Sequence, residues 1–83
     1  MYYVYVLKSL KDHKLYIGSA SDLKKRIEAH NSGAVPATKS RYPFKLVFYE
    51  AFLSKTDALC DEKFFKTGYG REVLKEKIKG SLL

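Results

Sequence analysis

The run Tyr2-Tyr3-Val4-Tyr5-Val6-Leu7 restricts the fold more than any other stretch of the chain. It is aromatic and β-branched, which favours a strand, and it is apolar on both alternating sets of positions. Successive side chains of a strand point to opposite faces, so this one is buried on both and belongs at the centre of its sheet. Ser9 to Lys14 is polar and contains Asp12, after which Leu15-Tyr16-Ile17-Gly18 resumes strand chemistry. The two runs read as a hairpin. A turn centred between Leu10 and Lys11 places Tyr5 opposite Tyr16, a register that a one-residue slip would turn inside out.

Beyond the hairpin the period changes. Leu23, Ile27 and His30 recur at helical spacing between the loop and cap residues Gly18-Ser19-Ala20-Ser21 and the stop Asn31-Ser32-Gly33, predicting a helix from about Asp22 to Asn31. Gly33 to Pro43 is a surface connection long enough to carry function. Phe44 to Phe52 alternates as a third strand. Ser54 opens a second helix that runs to about Lys66, with Asp57 near its positive end. Gly68-Tyr69-Gly70 reads as a breaker cluster, and Val73, Leu74 and Ile78 as a short third helix ending near Gly80. This order predicts an α+β fold with one small sheet of about three strands. At 83 residues the chain has room for one core, so residues 1–83 are read as one domain.

Composition narrows the function classes. Hydrophobic residues make up 46% and charged residues 30%, too apolar for a disordered basic tail. Cys60 is the single cysteine, which excludes an intramolecular disulfide and a cysteine-rich zinc site and suits a reducing cytoplasm. No apolar stretch approaches membrane-spanning length. The net charge of +7 favours polyanionic partners. It is uneven: residues 1–41 hold eight Lys or Arg against three acids, residues 42–83 eight against six. Lys24, Lys25, Lys39 and Arg41 are therefore candidates for phosphate contact, against the plainer reading that they solvate a small protein.

Several residues stand out from the structural pattern. On a helical wheel Glu62 falls among Ala58, Leu59 and Phe65, where an unpaired carboxylate is costly. It is either paired with Lys66 one turn on or a metal ligand. Arg26 lies one turn before His30 on the face marked by Leu23 and Ile27. An Arg there can grip a phosphate and a His can move protons, though a solvated basic face and a cation at a helix C-terminus are equally open. Tyr3, Tyr5 and Tyr16 crowd the first two strands. Tyrosine's reference pKa near 10 makes it an unusual base, dependent on nearby cations.

Taken in order, these residues resemble the GIY-YIG nuclease superfamily, small stand-alone branch, over essentially the whole chain. Tyr3-Val4-Tyr5 is similar to the first tripeptide of the family name and Tyr16-Ile17-Gly18 matches the second. Arg26 follows Tyr16 by ten residues and His30 comes four later, as in the family. Ala58 to Lys66 resembles the helix that supplies the family's metal-binding glutamate, at Glu62. Tyr3 departs from the family name, which has Gly there.

The resemblance implies a central antiparallel sheet flanked by helices, with Tyr5, Tyr16, Arg26, His30 and Glu62 converging on a basic face. It implies an endonuclease hydrolysing phosphodiester bonds, with Tyr16 as preferred general base and Tyr5 or His30 orienting it. Arg26 holds a nonbridging oxygen, and a single Mg²⁺ or Mn²⁺ sits on Glu62. DNA is the expected partner, with repair or recombination as the setting. A binding adaptor with little turnover and an RNA-directed nuclease are the competing readings. Retention of all five site residues favours an enzyme, since an adaptor needs only the basic face.

Overall fold

The computed structural model describes residues 1–82 as three strands, three α-helices and a final 3₁₀ turn. Strand β1 (Tyr2–Ser9) is flanked by β2 (Leu15–Ala20) and β3 (Phe44–Phe52) in one antiparallel sheet of order β2-β1-β3. The run that is apolar on both sets is thus the central strand. Helix α1 (Leu23–Asn31) connects β2 to β3, and α2 (Lys55–Phe65) and α3 (Gly68–Lys77) follow. Short polar side chains begin all three helices. Asp22, Ser54 and Thr67 accept the backbone N–H groups of Lys25, Asp57 and Gly70, filling donors that a helix start leaves free.

The alternation of β1 divides the interior into two layers. Val4 and Val6 face α2 and α3, packing with Ile17, Ala58, Phe65, Leu74 and Ile78. Tyr5 and Leu7 face α1, packing with Phe44, Leu23 and Ile27. Full burial of such side chains contributes about 1.5–3 kcal/mol each, so both layers are needed to hold so short a chain.

Three expectations are corrected. The hairpin pairs Tyr5 with Gly18 and Leu7 with Tyr16, two residues from the symmetric register. An even shift keeps every side chain on its face, so both tyrosines stay on the α1 side. The cause is the turn. Ser9, fully buried, accepts the amides of Lys11 and Asp12 and donates to the Arg41 carbonyl at 2.6 Å, and His13 adopts φ 61°. The centre of the turn consequently moves toward β2. The Gly68-Tyr69-Gly70 cluster does not break the chain but forms the first turn of α3. Thr67 caps it, and at Gly70 a Cβ would overlap the Phe64 carbonyl, so glycine lets α2 and α3 meet closely. Leu59 lies outside the buried arc of α2, 47% exposed. The inward-facing arc of that helix instead carries Ala58, Asp61, Glu62 and Phe65.

Candidate active site

Gly18 creates the centre of the site. A Cβ there would lie 2.5 Å from the Tyr5 hydroxyl and 3.1 Å from the Tyr16 ring, so only glycine lets the Tyr5 side chain cross β2. The Tyr5 and Tyr16 rings sit 6.4 Å apart, and His30 lies 4.9 Å from Tyr16 and 5.7 Å from Tyr5. Tyr5 and His30 are almost completely shielded from solvent. Tyr16 is only half-buried, and no described residue binds its hydroxyl.

The hydrogen bonds define a direction. Arg26 Nε–H donates to the Tyr5 oxygen at 3.4 Å. The Tyr5 hydroxyl therefore has its proton free for His30 Nε2, 2.8 Å away. With Nε2 accepting, the ring proton sits on Nδ1, which donates to Thr38 Oγ1 at 2.7 Å. The chain Arg26 to Tyr5 to His30 to Thr38 assigns the neutral tautomer of His30. Burial first, and the Arg26 charge second, lower the His30 pKa and keep the ring neutral. This overturns the reading of His30 as an exposed cation at the end of α1. Burial pushes the Tyr5 pKa up despite the hydrogen bond and positive charge of Arg26, which work the other way.

Glu62 reaches the same region from the opposite face of the sheet. Its Oε1 accepts from Ser19 Oγ at 2.6 Å and its Oε2 from Lys66 Nζ at 2.7 Å. Burial works to raise its pKa, but the hydrogen bonds from Lys66 and Ser19 outweigh it and hold the carboxylate below its ordinary value. The Lys66 pairing read from the sequence is therefore present, together with a contact to β2 that the wheel did not reveal. The charge of Glu62 acts weakly on Tyr5 from across the sheet, after those of Arg26 and Tyr16. Asp61, the neighbouring acid, turns instead toward Glu50 on β3.

The donor set at Glu62 fits a hard divalent cation that keeps most of its water: one ionised carboxylate with a serine hydroxyl against it. It does not fit a metal held by many protein ligands, since no group of three His, Cys, Asp or Glu suited to that exists among the described residues. Loading it would displace the Lys66 ammonium from Oε2, an exposed pairing worth at most about 1 kcal/mol.

The outlying basic residues differ from one another. Lys25 lines an open groove of about 370 Å³ together with Ser19, Ser21 and Arg26. Lys24 lies on the other side of α1 beside Tyr3 and Tyr49, and Lys39 is exposed in the connection. Arg41 is held by Asp12 at 2.7 Å, so much of its charge is already answered within the chain. Thr38 and Ser19 were missed by sequence reasoning. Period-two alternation from Ile17 puts Ser19 on the α2 face, a usable signal. Thr38 offered none, because its position depends on how the connection folds back over α1.

Residues 1–77 match the family model described as the GIY-YIG catalytic domain. The chain belongs to the GIY-YIG family. Membership makes it a nuclease-family domain with a nucleic-acid substrate class, and nucleases of the family generally use a divalent metal. A UPF0213 protein of Clostridium perfringens is 46% identical over 67 residues, covering 80% of this chain and 71% of that protein. One from Bacillus pumilus is 43% identical over 67 residues, covering 80% and 67%. The solution NMR structure of a UPF0213 protein from Bacillus halodurans aligns with TM-score 0.57 at 38% identity, covering 92% of this chain and 84% of that one. The three-stranded sheet with its helices is thus a GIY-YIG arrangement. No described helix is long and apolar enough to cross a membrane.

Proposed function

We propose that this chain is a self-contained metal-dependent endonuclease, one domain over residues 1–83, that hydrolyses phosphodiester bonds of DNA during repair or recombination in the cytoplasm. The observation that carries the reading is the partly exposed Tyr16, its hydroxyl unengaged by any described side chain, beside a Tyr5–His30–Thr38 chain that is buried beneath the exposed Arg26. A site built only to bind a polyanion has no use for a buried neutral histidine aligning a tyrosine.

In this mechanism Tyr16 gives up its hydroxyl proton to solvent, and its oxygen then takes the proton of the attacking water. Tyr5 is too enclosed to meet that water. Instead its ring, fixed through its hydroxyl by Arg26 and His30, packs with His30 against Tyr16 and limits where that side chain can sit. The terminal nitrogens of Arg26, which Tyr5 leaves free, hold a nonbridging phosphate oxygen as negative charge grows there. Glu62, with Ser19 steadying one oxygen, would hold Mg²⁺ or Mn²⁺, which when bound supplies Lewis-acid stabilisation of the leaving oxygen. Lys24, Lys25 and Lys39 attract the backbone, with Arg41 a weaker contributor while Asp12 holds it.

The test is incubation of pure protein with labelled single-stranded, duplex and branched DNA and with RNA, with Mg²⁺ or with EDTA, beside Glu62→Gln. Cleavage of DNA that needs metal and Glu62 is expected. Binding without cleavage of any substrate would replace the enzyme by an adaptor in which Lys66 permanently occupies Glu62, and cleavage of RNA alone would reassign the substrate.

A further inference from the structure

One concavity gathers cations from both halves of the chain. A groove of about 610 Å³ opens between the β1–β2 turn, the end of α2 and the outer face of α3. Lys14, Lys66, Arg71 and Lys75 line it, and no carboxylate among the described residues does. Tyr16 lines it as well, so the groove borders the residue that carries the reacting hydroxyl. Lys66 joins it to Glu62 through the 2.7 Å contact.

Helix α3 shows why this is more than a scatter of surface lysines. Arg71 and Lys75 are one turn apart and share a face, while Glu72 and Glu76 share the adjacent one. Like charges at that spacing destabilise a helix by a few tenths of a kcal/mol, whereas interleaving the signs would stabilise it by as much. The segregation costs helix stability and concentrates cations on the side that faces the groove. Its floor is apolar, from Leu15, Ile17 and Leu74, and a low-dielectric wall strengthens the attraction of the cations above it.

We propose that this groove is the track for the DNA strand on one side of the scissile phosphate, with Lys14, Arg71 and Lys75 contacting successive backbone phosphates. It rests on the nuclease reading for its connection to Tyr16. The opposite side of the scissile bond then lies along the Lys25–Arg26 groove, and the strand crosses β2 between the two. The cut therefore falls inside a strand held on both sides.

The test is fluorescence anisotropy of a labelled 20-nucleotide DNA in EDTA across a salt series, for the wild-type chain, Arg71→Gln/Lys75→Gln and the control Lys45→Gln, whose side chain lies on the β3 edge outside the groove. Each lost phosphate contact lowers the salt slope by about 0.7 on a single strand, so the double variant loses roughly 1.4 and binds at least about tenfold more weakly at low salt. Thermal melting checks that all three are folded. A wild-type slope in the double variant, or an equal fall in Lys45→Gln, overturns the groove while leaving the nuclease reading intact if Mg²⁺ still supports cleavage. A wild-type chain that binds no DNA overturns the groove outright. A reduced slope in the double variant with no cleavage by the wild-type protein supports the groove and removes the nuclease reading.

Discussion

Thr38 orients His30 from a connection that carries no recognisable motif, and Thr38→Val tests what that contact contributes. Thr38 and His30 are both fully buried, and the 2.7 Å bond is the only described partner of Nδ1. Valine keeps the shape of the side chain and removes the acceptor, leaving a buried N–H with nothing to bind. An unsatisfied buried donor costs about 1–3 kcal/mol, against only about 0.5–1.5 kcal/mol for the net value of an ordinary hydrogen bond. We expect a loss of about 2 kcal/mol. For a domain of this length that corresponds to roughly 8–16 °C in Tm. Urea unfolding at pH 7.5, followed by circular dichroism, measures the loss. Nitrogen NMR of the His30 ring tests the cause: protonated Nδ1 and bare Nε2 in the wild type, with mixed tautomers in the variant. A wild-type ring protonated at Nε2, or a variant within about 0.5 kcal/mol of wild type, would refute the direction of the Arg26–Tyr5–His30–Thr38 chain.

Tyr16→Phe should cut turnover by about 10²- to 10⁴-fold with little change in Tm, since the packed ring stays and no described hydrogen bond is lost; near wild-type rates would move the base elsewhere. Gly18→Ala should cost about 1–3 kcal/mol by driving a methyl into the Tyr5 hydroxyl, and an unchanged unfolding midpoint would contradict that close approach. Because the His30 pKa is lowered on folding, the unfolded chain takes up the proton first; His30's stabilisation is full above about pH 6.5 and is lost as pH falls from there through the lower folded-state pKa. The stability gap between wild type and His30→Gln should therefore narrow from pH 7.5 to pH 5. Asp61 has the opposite sign: burial, then the Glu50 carboxyl, raise its pKa to about 7, so its folded form holds a proton that the unfolded form releases near pH 4. Without divalent metal, Asp61→Asn should raise the urea midpoint at pH 8 and lose that advantage at pH 4; equal midpoints at both would mean the two carboxyls do not interact.

Local chemistry carried most of the architecture. Two-faced apolarity marked β1 as central, the side-chain oxygen of Ser54 marked a helix start, and the spacing of Leu23, Ile27 and His30 marked the inward face of α1. These features depend on neighbours within one or two turns, so they are written into any short window of sequence. The family motif likewise singled out five residues, of which the fold brings Tyr5, Tyr16, Arg26 and His30 together on one face of the sheet and sets Glu62 against Ser19 on the other. The arrangement of those residues was not legible in the same way. Whether His30 is an exposed cation or a buried neutral ring depends on Thr38 and Tyr5 arriving from separate elements, and burial is a property of the assembled layers. Glu62 meets Ser19 across 43 residues, so its partners follow from how α2 packs on the sheet edge rather than from its own helix. The hairpin register turned on Ser9 and on the left-handed His13, which shifted the turn by a geometry that symmetry does not anticipate. The basic groove is the clearest case: net charge counted along the chain favoured the first half, yet Lys14, Arg71 and Lys75 face one concavity because three elements meet there. Charge acts through space and falls with distance, so only the tertiary structure decided which cations share one concavity.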